Sequence, residues 1–228
     1  MRSTRRLEIA ILLLVAPLQL CGQLSTQNMK NSPVVATAKA SSRQKPDGVS
    51  TQLSGIVASG RLEDLRWPDF SDYRIHLTNF YRPSGYRLAW IRDGKPTDQA
   101  MELIQILQDA DREGLLAEDY DASRWAGRLT LLKSPHEGAD EARFDAALTV
   151  CAMRYISDLH IGKVNPQNLG FEFDVSHKKL DLPHFVRERL VDGSDLRSEL
   201  IAVEPPFKSY QRLRAALQHY MEIGRAHV

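Results

Sequence analysis

The stretch EARFDAALTVCAMRYISDL, residues 141–159, decides the fold of this chain. Its apolar side chains recur at the period of an α-helix, and the main stripe consists of Phe144, Leu148, Cys151, Tyr155 and Leu159. Ala147, Val150 and Ile156 widen that stripe. A helix that is apolar over so much of its circumference is usually central in its domain. We therefore predict a long central helix that begins near Glu141.

The sequence on either side of this stretch predicts further helices and little strand. Apolar residues at helical spacing, bounded by caps and proline breaks, define the segments. The predicted helices are Leu53–Leu65 with a break at Gly60, Asp69–Tyr81, Thr97 (as N-cap) to Gly114, Tyr120-Asp121 (with Asp121 as cap) to Leu132, Pro183–Gly193, Asp195–Ile201 and Tyr210–Tyr220. Short strands are predicted at Arg87–Arg92, which reverses at Asp93-Gly94, and at Phe171–Val175. The predicted fold class is all-α with minor short strands.

Bulk composition limits the function classes open to this chain. It has 228 residues, of which 43% are hydrophobic, so it can bury the core of about one domain. Lys and Arg number 30 against 29 for Asp and Glu, and the two signs are interspersed. A net charge of +1 creates no field that attracts nucleic acid or an anionic membrane. We therefore expect no nucleic-acid partner.

Residues 1–22 have the pattern of an export signal. Three arginines among the first six residues precede the apolar run Ile9–Leu20, which is too short to span a bilayer. Residues 23–52 are rich in small and polar residues without periodicity, a composition typical of a disordered tether. We expect an exported protein of the periplasm or cell envelope whose folded domain covers residues 53–221.

The chain has two cysteines, Cys21 and Cys151. Leu18–Gly22 resembles a lipoprotein processing site in which Cys21 would carry lipid, and type I signal cleavage near Gly22 is the alternative. Because Cys21 would be either removed or acylated, Cys151 has no partner for a disulfide. Cys151 falls in an apolar helical run, so we interpret it as a small buried hydrophobe rather than a reactive thiol.

Four segments follow one another in the order and at the spacing of a known domain. They are Phe80-Tyr81 to Tyr86–Trp90, Ala110–Leu115 leading to Glu118–Tyr120, Leu148–Pro166, and Glu204–Tyr210 with Leu213, Leu217 and Tyr220. Together they resemble the N-terminal scaffold domain of large bacterial L,D-transpeptidases, the cysteine enzymes that cross-link peptidoglycan. The likeness spans Leu53–Tyr220 and implies a helical scaffold that acts in cell-wall biogenesis.

The resemblance also implies modules beyond the scaffold. In that family the scaffold precedes a peptidoglycan-binding-like module and a catalytic domain with its nucleophile in a Ser-His-Gly-Cys motif. No cysteine follows Cys151, and Thr149–Ala152 has no His and Gly before its cysteine. We therefore expect a non-catalytic portion of a transferase, with no catalytic residue, cofactor or metal of its own. Its expected partners are the missing modules of the same polypeptide and, indirectly, peptidoglycan.

Residues 222–228, EIGRAHV, match the translation of a common sequencing-adapter read. We hypothesise that an assembly artefact truncates the gene and that the natural sequence ends near Met221 or Glu222. A natural flexible tail is the alternative. Because truncation would uncover a docking surface, it predicts exposed apolar side chains between Tyr210 and Tyr220.

Two other functions fit parts of the sequence. A freestanding envelope protein would bind peptidoglycan through exposed aromatics such as Trp67, Trp90 and Trp125. A helical muramidase would use the acidic pairs Glu118-Asp119 and Glu172/Asp174. The simpler interpretation places Trp90 in the core and makes Glu118-Asp119 the acidic lead-in to a helix.

Three further sequence patterns do not indicate a catalytic or metal-binding site. Ser-x-x-Lys occurs at Ser176–Lys179 and at Ser42–Lys45, and neither has the companion motifs of penicillin-recognising enzymes. The seven histidines include no His-Glu-x-x-His zinc motif. Asp158 and His160 lie two positions apart near a helix end, so we expect their side chains to diverge.

Overall fold

A computed structural model describes residues 48–133, 138–164, 170 and 180–226. Its helices are α1 (Gly48–Ser59), α2 (Arg74–Tyr81), α3 (Asp98–Gln108), α4 (Trp125–Lys133), α5 (Gly138–His160), α6 (Leu182–Phe185), α7 (Leu196–Val203) and α8 (Lys208–Ala226). A π-helix, Val186–Val191, continues α6. Two strands, β1 (Ile91–Arg92) and β2 (Lys95–Pro96), form an antiparallel hairpin. The predicted all-α fold with minor strand content is confirmed.

Several predicted features lie outside the described residues. These are the export signal at residues 1–22 with Cys21, most of the tether, and the strand Phe171–Val175. Helix α1 begins at Gly48, so helical structure starts within the segment predicted as tether, before the expected start at Leu53. Among the residues that the structure describes, no helix is both long and apolar enough to cross a bilayer.

Helix α5 is the centre of the fold, as its sequence predicts. It runs for 23 residues, and its apolar side chains are buried on nearly every side. Helices α1, α3, α4 and α7 all pack against it. Each large apolar side chain that it removes from water contributes about 1.5 to 3 kcal/mol to folding. Helix α5 therefore supplies the surface on which these four helices assemble.

The hairpin and the start of α3 follow from local sequence. Asp93 and Gly94 have φ angles of 51° and 72°, and a type I′ turn requires positive φ at both positions. Thr97 caps α3, because its hydroxyl accepts a hydrogen bond from the N–H of Ala100 at 3.1 Å. Helix α3 ends at Gln108, and a 3₁₀ turn follows before the predicted stop at Gly114.

The helix predicted to start at Tyr120-Asp121 begins later. Asp121 adopts a left-handed conformation with φ of 63°, and its side chain caps no following amide. Its carboxylate instead accepts hydrogen bonds from the N–H of Arg66 at 2.8 Å and from Nη2 of Arg128 at 2.5 Å. The prediction of Asp121 as an N-cap is therefore wrong, because its oxygens bind groups elsewhere in the fold. A 3₁₀ turn, Ala122–Arg124, leads into α4.

Side-chain caps also fix the later helices. Asp181 and Asp195 each accept a hydrogen bond from the amide three residues further on, at 3.2 and 3.1 Å. Pro183 lies in the first turn of α6, as predicted, where its missing N–H costs nothing. Helix α8 is longer than predicted and continues past Tyr220 to Ala226.

Candidate functional site

A buried polar cluster joins α5 to the segment that precedes β1. The Asp145 carboxylate accepts hydrogen bonds from the N–H of Ala89 at 2.9 Å and the N–H of Trp90 at 2.7 Å. It also accepts one from the hydroxyl of Tyr81 at 2.7 Å. One turn further along α5, the Thr149 hydroxyl lies 2.6 Å from the Tyr81 oxygen and accepts from the Trp90 indole at 2.9 Å. We call Tyr81, Trp90, Asp145 and Thr149 the Asp145 cluster.

Burial and hydrogen bonds together set the protonation of the Asp145 cluster. Burial raises the pKa of Asp145 to about 6, against the opposing effect of the hydrogen bonds from Trp90, Tyr81 and Ala89. Raised carboxyl pKa values are common in active sites, but Asp145 has no exposed surface, and its hydrogen bonds join segments of the fold. Sequence reasoning gave Asp145 no role. The signal that could have revealed it is an Asp and a Thr one turn apart on a buried helix.

The acidic pair Glu118-Asp119 is engaged in separate local contacts. Glu118 accepts a hydrogen bond from the Ser123 hydroxyl at 2.9 Å. Asp119 accepts one from the Trp67 indole at 3.1 Å and forms an ion pair with Lys163. Partial burial raises the Asp119 pKa, but the bonds from Lys163 and Trp67 outweigh it and hold the pKa below its usual value. A glycosidase acid requires the opposite shift. Glu172 and Asp174 lie outside the described residues.

The three tryptophans differ in exposure. Trp90 and Trp125 are fully buried, so neither can stack on a sugar, and Trp90 is core as predicted. Trp67 is 53% exposed and donates its indole N–H to Asp119. Of the aromatics considered for glycan binding, the structure therefore leaves Trp67 accessible.

Cys151 belongs to α5, and its side chain is buried in the core of the domain. It has no exposed surface, and burial raises the pKa of its thiol far above the usual value. A reactive cysteine needs the thiolate form and an open approach. The structure therefore places Cys151 as the buried small hydrophobe that the sequence predicts.

Asp158 and His160 turn to different partners, as their spacing predicts. Asp158 accepts a hydrogen bond from the Tyr120 hydroxyl at 2.6 Å, and Nδ1 of His160 lies 3.0 Å from the carbonyl oxygen of Val203. Within the described ranges, no group of three or more His, Cys, Asp or Glu side chains is placed to hold a metal ion. The two Ser-x-x-Lys patterns fall outside those ranges.

Helix α8 attaches to the rest of the domain along one face. Arg214 forms ion pairs with Glu113 and with Glu204, the second at 3.3 Å. Burial raises the pKa of Glu204, and the charge of Arg214 opposes that shift. Leu217 packs over Gly114, where an added Cβ would lie 3.5 Å from a Leu217 methyl carbon. Helix α8 is thereby fixed against the 3₁₀ turn that follows α3.

A second face of α8 is apolar and exposed. Leu213 and Tyr220 expose 72% and 71% of their surface, and Ile223 exposes 42%. Spacings of three and four residues place these side chains and Ala216 on one side of the helix. We call Leu213, Ala216 and Tyr220, which precede residue 222, the α8 ridge. The exposed apolar side chains expected between Tyr210 and Tyr220 are therefore present.

The remaining side of α8 is polar. Gln211 is exposed there, on the side of the helix opposite the α8 ridge, whereas the exposed Arg212 and His219 lie beside Ala216 at the edge of the ridge. Single exposed apolar side chains are ordinary on protein surfaces, whereas a row of them along one helix marks an interaction surface. The α8 ridge is accordingly the candidate functional surface of this domain.

The segment from α2 to the middle of α8 matches one known protein family. Residues 76–217 match the family model of the Scaffold domain. This chain belongs to the Scaffold domain family. The Scaffold domain match covers more than half of the chain and includes the Asp145 cluster and Leu213 of the α8 ridge. Neither a curated protein nor a solved structure matches the chain significantly.

Proposed function

We propose that this Scaffold domain supports an exported L,D-transpeptidase that cross-links peptidoglycan, and that it performs no chemistry itself. The family match at residues 76–217 supports the scaffold role. The sequence segments that resemble the L,D-transpeptidase scaffold support the finer assignment. Two of them, around Phe80–Trp90 and Leu148–Pro166, meet in the Asp145 cluster, so the residues that carry the resemblance also hold the fold.

The observation that carries this proposal is the exposed α8 ridge. In the proposed enzyme, the ridge docks the peptidoglycan-binding-like and catalytic modules of the same polypeptide, and peptidoglycan is contacted indirectly. Burying Leu213 and Tyr220 beneath such a module would remove a large apolar area from water. The natural reading frame would continue beyond codon 221 in place of residues 222–228. Export would place the protein in the periplasm or cell envelope, with lipid on Cys21 as its anchor if that cysteine is acylated.

Charged substitutions on the α8 ridge are expected to weaken docking of the downstream module by about tenfold or more. Leu213→Glu and Tyr220→Glu each place a carboxylate where an apolar contact would form. Genomic DNA beyond codon 221 supplies the module for expression. Its affinity for this chain and for the two variants is then measured by titration calorimetry.

The matched control for this experiment is Gln211→Glu, which adds the same charge on the polar face of α8. It should leave the affinity unchanged, and circular dichroism should show all three variants folded. The docking proposal is wrong if the genomic frame does not continue to a Ser-His-Gly-Cys motif. It is equally wrong if Gln211→Glu weakens binding as much as the ridge variants do.

The purified chain is expected to form no covalent adduct with a carbapenem, which acylates the nucleophile of cysteine transpeptidases. Cys151 is the cysteine of the folded part, and burial keeps its thiol protonated and inaccessible. Intact-protein mass spectrometry after prolonged incubation measures the adduct, with Cys151→Ala as the matched control. A carbapenem-sized mass increase in the natural chain that Cys151→Ala abolishes would contradict the non-catalytic role.

A further inference from the structure

An open groove of about 580 Å³ lies between the first turn of α1, the segment before β1 and the π-helix. Of the residues that the structure describes, three arginines, Arg87, Arg92 and Arg187, and one acidic residue, Asp93, line it. Within the described part of the chain, none of the three arginines forms an ion pair with a carboxylate. Counted over the described residues, this groove therefore gathers an excess of positive charge.

Arg92 is held in position by backbone carbonyls. Its Nη1 donates to the carbonyl oxygens of Leu88 at 3.1 Å, Ala89 at 3.2 Å and Ile91 at 3.0 Å. A carbonyl orients a guanidinium group without cancelling its charge, whereas a carboxylate does both. Arg92 thus keeps its charge and the donors on its other nitrogens for a further partner.

Arg87 and Arg187 are oriented in similar ways. Nε of Arg87 donates to the carbonyl oxygen of Ser84 at 3.1 Å. Arg187 lies over the ring of Phe80, 4.2 Å from its centroid, and donates to the carbonyl oxygen of the same residue at 3.4 Å. Such stacking and fixed hydrogen bonds reduce the conformational entropy that a guanidinium loses when it binds a ligand.

Apolar side chains form other parts of the wall. Val49, Leu88 and Ile91 line the groove beside the arginines, and its volume falls in the range of small-ligand sites. A bare inorganic anion would leave these apolar surfaces in water and would fill a small part of the volume. Carboxylates carried on a carbon chain would satisfy the guanidinium donors and cover the apolar wall at once.

We propose that this groove binds a short acidic peptide, with Arg87, Arg92 and Arg187 pairing with its carboxylates. Each guanidinium presents a planar fork that matches two carboxylate oxygens. This site is separate from the α8 ridge, and the proposal holds whether or not the domain supports a transpeptidase.

Titration of the full chain with an acetylated triglutamate peptide tests this site directly. Binding is measured by calorimetry at low and at high salt, because exposed charge pairs weaken as ionic strength rises. Arg87→Gln and Arg187→Gln should each weaken the affinity about tenfold, since a hydrogen-bonded charge pair is lost. Arg112→Gln removes an exposed arginine that does not line the groove and serves as the matched control. Circular dichroism and thermal melting establish that each variant is folded.

Two further ligands make the result decisive. Triglutamine has nearly the same shape without charge and should not bind, and inorganic phosphate should compete weakly or not at all. Saturable triglutamate binding that both groove variants weaken and Arg112→Gln leaves unchanged supports the proposal. Absence of binding, an equal loss in Arg112→Gln, or phosphate that binds as tightly as triglutamate would each overturn it.

Discussion

Replacing Asp145 with alanine is expected to lower the free energy of unfolding by about 3 to 6 kcal/mol. The substitution leaves two buried donors without an acceptor, the N–H groups of Ala89 and Trp90. The Tyr81 hydroxyl loses its bond to the carboxylate but keeps the backbone carbonyl of residue 145, at 3.0 Å. None of these donors can reach water, because their residues are buried. Domains of this kind have a total stability of about 5 to 15 kcal/mol, so this variant should be close to unfolding.

Urea denaturation followed by far-ultraviolet circular dichroism measures this loss. Asp192→Ala is the matched control, since Asp192 is an exposed aspartate whose truncation should cost below about 0.5 kcal/mol. If Asp145→Ala and Asp192→Ala were equally stable, the hydrogen bonds that join α5 to the segment before β1 would not contribute to stability as expected. Faster hydrogen exchange at Ala89 and Trp90 in Asp145→Ala would locate the defect in this cluster.

The same residue should make stability depend on pH. Burial raises the pKa of folded Asp145 to about 6, above its unfolded value, so the folded state binds more protons between these two pKa values. Its contribution is complete below the unfolded pKa and is lost as pH rises through about 6. Relative to Asp145→Asn, which cannot titrate, the natural chain should lose about 2 to 3 kcal/mol of stability between pH 4 and pH 7.

The features that could be predicted from sequence are those set by local patterns. The apolar stripe of Glu141–Leu159 predicts α5, because a helix buried on all sides leaves a periodic trace in one continuous segment. Thr97 and Asp93-Gly94 predict a cap and a turn, since both depend on atoms only a few residues apart. Exposed apolar side chains between Tyr210 and Tyr220 were also predicted, and Leu213 and Tyr220 are exposed on α8.

The features that could not be predicted depend on residues distant in the chain. Asp121 resembles an N-cap locally, yet its carboxylate binds Arg66, which is 55 residues away. Asp145 binds amides 55 and 56 residues away, and although its place beside Thr149 on a buried helix marks it as a polar core residue, the helix does not indicate which amides it binds. The groove arginines come from two separate segments of the chain. They lie in one groove because the π-helix packs beside the residues before β1, and the sequence does not indicate that packing.

A second buried charge should be as costly to disturb as Asp145. The guanidinium of Arg128 donates to the carboxylate of Asp121 at 2.5 Å, and to the carboxylate and the carbonyl oxygen of Asp64 at 3.1 and 2.8 Å. It also lies over the Trp125 ring, 4.6 Å from the centroid. Arg128 and Asp121 are both buried, so neither is screened effectively by solvent.

Replacing Arg128 with methionine is therefore expected to destabilise the fold by about 3 to 5 kcal/mol, because Asp121 remains as an uncompensated buried charge. Arg124→Met is the matched control, since Arg124 is exposed and makes one contact, with the Asp64 carbonyl oxygen at 3.4 Å. Adding Asp121→Asn to Arg128→Met should recover part of the loss, because the amide removes the stranded charge and tolerates the left-handed backbone at that position. Urea denaturation of the natural chain, Arg128→Met, Asp121→Asn and the double variant gives the coupling between Arg128 and Asp121. A double variant no more stable than Arg128→Met alone would show that the cost comes from lost packing against Trp125 instead.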